Sequence, residues 1–156
     1  MPASENAALA RKWFDEVWNQ RRDAAVTEML AEPMEGHMEG GPIRTAREFL
    51  AARAVLLGAF PDLRVTVDGT IADGDEVAVR WSAKGPHKGG HMGPEPMGKK
   101  IEFRGITWLE FRGGRIVKGW DSWNLGRLLD EMSQPPAIEK LPDGDLPEGG
   151  APKLSR

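Results

Sequence analysis

Two periodicities divide the chain. Up to about residue 60 apolar side chains recur at intervals of three and four; from residue 63 to 123 they alternate. In the first part, Ala10, Trp13, Phe14, Val17 and Trp18 form one stripe and predict a helix of about four turns, with Ser4 as its N-cap and Glu5 at its start. Arg11, Lys12, Asp15, Glu16 and Arg22 fall on the opposite, solvated face. Asp23 is expected to cap a short second helix through Leu30. Pro33, Gly36 and the Gly40-Gly41 pair then break the helical pattern, so 34–39 reads as a short extended segment carrying His37. Thr45 and Glu48 form a capping box for a third helix along Phe49, Leu50, Arg53, Ala54, Leu56, Leu57 and Phe60, stopped by Pro61.

The second part reads as sheet. Leu63, Val65 and Val67 alternate with polar residues; Asp73-Gly74 is a turn signal; Val77, Val79 and Trp81 alternate again. A loop from Gly85 to Lys99, rich in Gly, Pro and Met, holds His87 and His91 and reads as a rim over a pocket mouth. The strand from Lys100 to Phe111 begins its alternation at Ile101 and Phe103, and the pattern then shifts to Ile106 and Trp108, so Gly105 is assigned a bulge. Gly113-Gly114 turns the chain into a last strand, Arg115 to Asn124, and Leu125 to Met132 closes with one or two helical turns. Helices followed by long antiparallel strands argue for an α+β fold, a curved antiparallel sheet packed on about three N-terminal helices. Residues 1–133 form one domain; the Pro/Gly-rich segment 134–156 lacks the apolar content of a packed core and reads as a tail.

Composition narrows the chemistry. The 156 residues carry a net charge of -3 and no basic run, which argues against nucleic acid. With no cysteine and no tyrosine, thiolate and phenol chemistry are excluded. Neither a signal core nor a membrane-length apolar run is present, so the expectation is a cytoplasmic protein without a membrane partner. The six tryptophans suggest either a well-filled core or a cavity for a flat ligand.

The last strand concentrates the interest. Asp121 stands between Trp120 and Trp123, on the face assigned to Val117 and Gly119 and opposite Ile116, Lys118 and Trp120. It is either a surface acid at a strand end or a pocket carboxylate whose desolvation makes it a better base. His87 and His91 have helical metal spacing, but the glycines and prolines around them forbid a helix and no third ligand is placed, so no metal is expected. Arg80 is read as a solvated or subunit-contact residue that could also meet a substrate oxygen. Trp18, Trp81, Trp108 and Trp123 are candidate walls.

Several segments in one order and spacing resemble a known family. They are Val77-Ala78-Val79-Arg80-Trp81, Gly85-Pro86-His87-Lys88-Gly89, Pro96-Met97-Gly98-Lys99, Phe103-Arg104-Gly105-Ile106, Gly114-Arg115-Ile116-Val117 and Trp120-Asp121. With Trp18-Asn19 and Glu48-Phe49-Leu50 ahead of them, they resemble the SnoaL-like polyketide cyclases of the nuclear-transport-factor-2-like superfamily, from about Ala7 to Met132. The resemblance implies a cone with a deep pocket, often a homodimer, an aromatic or polyketide-like ligand and no cofactor. It implies aldol-type ring closure with Asp121 as the acid/base. The family's histidine on the paired strand is missing here: Arg104-Gly105-Ile106-Thr107-Trp108 contains none, and Thr107 is the residue nearest to its place. His37 or His87 is expected to reach the pocket instead, with Arg80, Arg104 and Thr107 as polar contacts. A ligand-binding or dimerisation module without catalysis, and an epoxide-hydrolase-like enzyme, are the rival expectations.

Overall fold

The computed structural model describes residues 2–136, so the assigned tail beyond Pro136 lies outside the described residues. Helix α1 runs Ala3–Trp13 and continues, with helical backbone at the junction, as a π-helical turn Phe14–Asn19. Helix α2 is Asp23–Met29, α3 is Ala46–Ala59 and α4 is Leu125–Ser133. The strands are β1 Leu30–Met38, β2 Gly41–Ile43, β3 Arg64–Asp73, β4 Glu76–Pro86, β5 Lys100–Arg112 and β6 Arg115–Trp123. They form one sheet in the order β2-β1-β6-β5-β4-β3. It is antiparallel except at β1–β6, which is parallel, so the sheet is mixed rather than wholly antiparallel. The α+β class expected from the pattern and the cone implied by the resemblance are the architecture observed: a curved, unclosed sheet whose inner face packs on the three N-terminal helices. None of the described helices is long and apolar enough to cross a membrane.

The capping box works as its sequence requires. Thr45 Oγ1 accepts from Glu48 N at 3.1 Å, and Glu48 Oε1 reaches back to Arg44 N at 2.7 Å. Two other caps differ from expectation. Pro2, not Ser4, precedes α1, and Asp23 is the first residue of α2, where it pairs with Arg53. Arg53 is buried, and its guanidinium also donates to Val17 O at 2.9 Å, which ties α3 to the π-helical turn. That turn ends on Asn19, whose amide exchanges two 2.8 Å hydrogen bonds with the backbone of Val65, extending the edge of β3.

The sheet bends where one strand carries an extra residue. The β3–β4 register slips between Val67 and Gly69, and the β5–β6 register slips at Glu110/Phe111, leaving Val117 unpaired. Both bulges escaped sequence analysis, and the one assigned to Gly105 is not there. The β4–β5 register is continuous through Trp81↔Gly105, and Ile101, Phe103, Gly105, Thr107, Leu109 and Phe111 all face inward. Ile106 and Trp108 suggested a shift only because they are large and apolar on the outer face, where both are about half exposed. The Val117 bulge has the opposite consequence: it turns Ile116 inward, so Ile116, Gly119, Asp121 and Trp123 share the inner face.

Candidate active site

The helices and the inner face of the sheet enclose a cavity of about 90 Å³. The space is therefore narrow and suits a flat molecule held between rings. Trp13 and Trp18 close one side, both against Phe49, at ring separations of 5.0 and 5.9 Å. Trp81, Phe103 and Trp123 form the other side, mutually 5.3 to 6.4 Å apart. Phe14 bridges toward Trp81 at 6.5 Å. Leu30, Met34, Ile43, Leu63, Val65 and Ile116 complete an apolar lining.

Asp121 is set into this wall by β6. Its neighbour across the β5–β6 ladder is Thr107, whose Oγ1 lies 2.8 Å from Asp121 Oδ1. Trp81 Nε1 lies 2.9 Å from the same Thr107 oxygen. Thr107 and Trp81 are buried, while Asp121 keeps part of its surface open. Desolvation in the apolar wall pushes the Asp121 carboxyl up to about 6 from its ordinary 3.8; the hydrogen bond from Thr107 opposes that rise, and the negative charge of Glu39 adds to it. Of the residues lining the cavity, Asp121 is the one carboxylate and His37 the one histidine, and no lysine or arginine is among them.

The other expected site residues separate into two groups. Trp18, Trp81, Trp123 and Thr107 line the cavity with Asp121. His37 borders it, but its ring points the other way: it stacks on Trp120 at 5.9 Å and bonds Glu35 at 2.9 Å on the outer face, holding Glu35 below its ordinary pKa. His87 does not reach the cavity. It is buried against Phe60, with Nε2 2.9 Å from Gly89 O, because the loop after β4 folds down onto the end of α3, where Lys88 N and Gly89 N both donate to Ala59 O. That loop is thus not a rim over the mouth. His91 rests on Gly58, where an added Cβ would come within 2.4 Å of the imidazole. Arg80, Arg104 and Trp108 sit on the outer face of the sheet; the arginines line a separate charged groove beside α4, and Trp108 donates to Glu76. Their strand parity excludes them from the cavity: each lies one residue from an inward-facing neighbour. No cluster of three metal-binding side chains exists among the described residues.

Glu39 was missed. It follows β1 and accepts from Trp123 N at 3.3 Å, across 84 residues of sequence, a proximity that only the parallel β1–β6 pairing creates. Phe103 and Phe49 could have been found, since the one shares parity with Thr107 and the other begins the apolar stripe of α3.

Residues 8–132 match the family model of the SnoaL-like polyketide cyclases. The chain belongs to that family. Among solved structures it is similar to a protein from Jannaschia sp. CCS1 provisionally described as a SnoaL-like polyketide cyclase, at 22% identity and TM-score 0.79, over 87% of this chain and 97% of that one. IdmH from Streptomyces antibioticus, provisionally described as a polyketide cyclase, shares 24% identity at TM-score 0.74, over 83% and 99%. AclR from Streptomyces galilaeus, provisionally described as a hydroxylase, shares 26% at TM-score 0.75, over 89% and 87%. No curated protein sequence matches the chain.

Proposed function

We propose that this family member is a cofactor-independent enzyme that cyclises or isomerises a flat, polyketide-like carbonyl compound through its enolate, with Asp121 as base and then acid. What carries the reading is one carboxylate, raised to about 6, in the wall of a narrow cavity built from aromatic rings. A carboxyl titrating there is mostly ionised at neutral pH yet close enough to it to give the proton back. A methylene between two carbonyls is acidic enough for such a base. Its proton passes to Asp121, the C–H electron pair moves onto the carbonyl oxygen, the enolate carbon attacks a second carbonyl of the same molecule, and the resulting alkoxide recovers the proton. Trp13, Trp18 and Trp123 line the cavity, and among the described residues none takes a hydrogen bond from their indole N–H groups, which leaves these donors for an enolate oxygen.

Asp121→Asn keeps the shape and removes the base. With poly-β-carbonyl aromatic esters as test substrates, followed by mass spectrometry, turnover should fall about 10²- to 10⁴-fold. Binding of a hydroxyanthraquinone, read by tryptophan quenching, should persist. Undiminished turnover would remove Asp121 from the reaction. Binding with no product from the unaltered protein would favour a ligand-carrying module, and an oxygenated product would favour the chemistry suggested by the likeness to AclR.

A further inference from the structure

We infer that Trp81 and Thr107 form a one-way hydrogen-bond relay that fixes Asp121 Oδ1 as a standing acceptor and leaves Oδ2 as the atom that takes and returns the substrate proton. This rests on the reading of Asp121 as the base. It goes further by giving the two carboxylate oxygens different work and by naming two positioning residues.

The direction of the relay follows from donor and acceptor counting. An indole nitrogen carries a hydrogen and no available lone pair, so it donates only. Trp81 Nε1 is 2.9 Å from Thr107 Oγ1, hence the hydroxyl must accept there. A hydroxyl owns a single hydrogen, and the other partner of Thr107 within reach is Asp121 Oδ1 at 2.8 Å. Reversing the hydroxyl would set two hydrogens head to head between Trp81 and Thr107 and leave Asp121 without its donor. Both Trp81 and Thr107 are more than nine-tenths buried, so water does not compete for the hydroxyl. The strands supply the alignment: Trp81 of β4 stands opposite Gly105 of β5, two residues along β5 is Thr107, and Thr107 stands opposite Asp121 of β6.

An oxygen that already accepts a short hydrogen bond is the less basic of the pair, so the arriving proton goes to Oδ2. When the substrate C–H bond breaks, an O–H bond forms at Oδ2 and the electron pair moves to the enolate oxygen. When the ring closes, that O–H bond breaks and the new alkoxide takes the proton. The Thr107 hydrogen never leaves its oxygen. The relay also explains how this chain does without a histidine on β5: a histidine there would exchange protons, whereas Thr107 only orients the carboxylate. The other charge facing Asp121 is Glu39, from the turn after β1; the His37 ring faces Trp120 instead.

The test needs no substrate at first. In folded protein labelled with ¹³C at aspartate carboxyls, Asp121 should titrate near 6. Thr107→Val removes the donor at nearly constant shape and should raise the midpoint by about one pH unit, since a hydrogen bond to the ionised form is lost. Thr107→Ser should restore it. In turnover, Thr107→Val should lower kcat about tenfold with KM within about twofold, and the acid limb of the pH profile should move up by the same amount as the carboxyl midpoint. In the unaltered protein the Trp81 indole proton should report the same midpoint through the hydroxyl, so that a poorly folding variant does not leave the question open. A midpoint unmoved in folded Thr107→Val, or a Trp81 indole resonance blind to the Asp121 titration, would overturn the relay. An intact relay in a protein whose Asp121→Asn variant still turns over would instead overturn the reading of Asp121 as base.

Discussion

Asp121 sits where its charge is costly. Its carboxyl ordinarily titrates at 3.8 and in the fold at about 6. The folded state therefore holds the proton more tightly than the unfolded chain. The stability linked to that proton is fully present below about 3.8 and is lost as the pH rises through about 6. At pH 7 and above, the shift of roughly two units corresponds to a loss of at most about 3 kcal/mol. Asp121→Asn keeps the acceptor for Thr107 and removes the charge. It should raise the melting temperature at pH 8, with the advantage shrinking toward pH 4; an Asn variant no more stable than the parent at pH 8 would contradict a desolvated carboxylate. A residue whose removal stabilises the fold while abolishing turnover is one retained for its chemistry. The same carboxyl predicts a rate that rises with pH through about 6 and then levels.

At the scale of elements, β5 and β6 decide which side chains meet. Gly105 is required for contact, not for backbone freedom. A Cβ there would fall 2.6 Å from Trp123 Cβ, 2.7 Å from Ser122 O and 2.8 Å from Trp81 Cζ2. Backbone and two large rings cannot all give way, so Gly105→Ala should cost about 1–3 kcal/mol in urea unfolding and disturb quenching of Trp81 and Trp123 by a flat ligand. An unchanged unfolding midpoint would mean that the rings are loosely held. Much at this scale was legible: the stripe of α1, the capping box of α3, the alternation of β3 and β4 and the Gly113-Gly114 hairpin all read directly. The facing of β5 and β6 did not. Ile106 and Trp108 are apolar yet outward, and the Val117 bulge exists only as a mismatch with the partner strand, which one strand's pattern cannot encode.

Over the whole molecule, the outer face of the sheet gathers exposed apolar side chains that no described element covers. Ile71 is 77% exposed, Ile106 50%, Trp108 48% and Trp120 37%. Large apolar groups gathered on one sheet face commonly mark an association surface. The family resemblance implies a homodimer without saying where it forms; we propose that two copies of this chain meet on this face, which also carries Arg80 and Arg104. Sedimentation should give twice 17.2 kDa. Ile106→Lys with Trp108→Lys should return the monomer without moving the Asp121 titration, because neither side chain faces the cavity. A monomeric parent protein at micromolar concentration would remove this proposal.

The sequence by itself determined most of the elements and the α+β class, and it singled out Asp121 as a candidate acid without deciding whether it is sheltered, because periodicity, caps and turns are local and Trp-Asp at a strand end is a short signal. Only the tertiary structure decided which histidines, arginines and tryptophans share the cavity with that acid. His87 went to the core and His37, Arg80, Arg104 and Trp108 turned outward, while Thr107 and Trp81 came within hydrogen-bonding reach on neighbouring strands. The physical reason is that each side chain's face depends on strand register and on bulges, and both are properties of paired strands, not of either one alone.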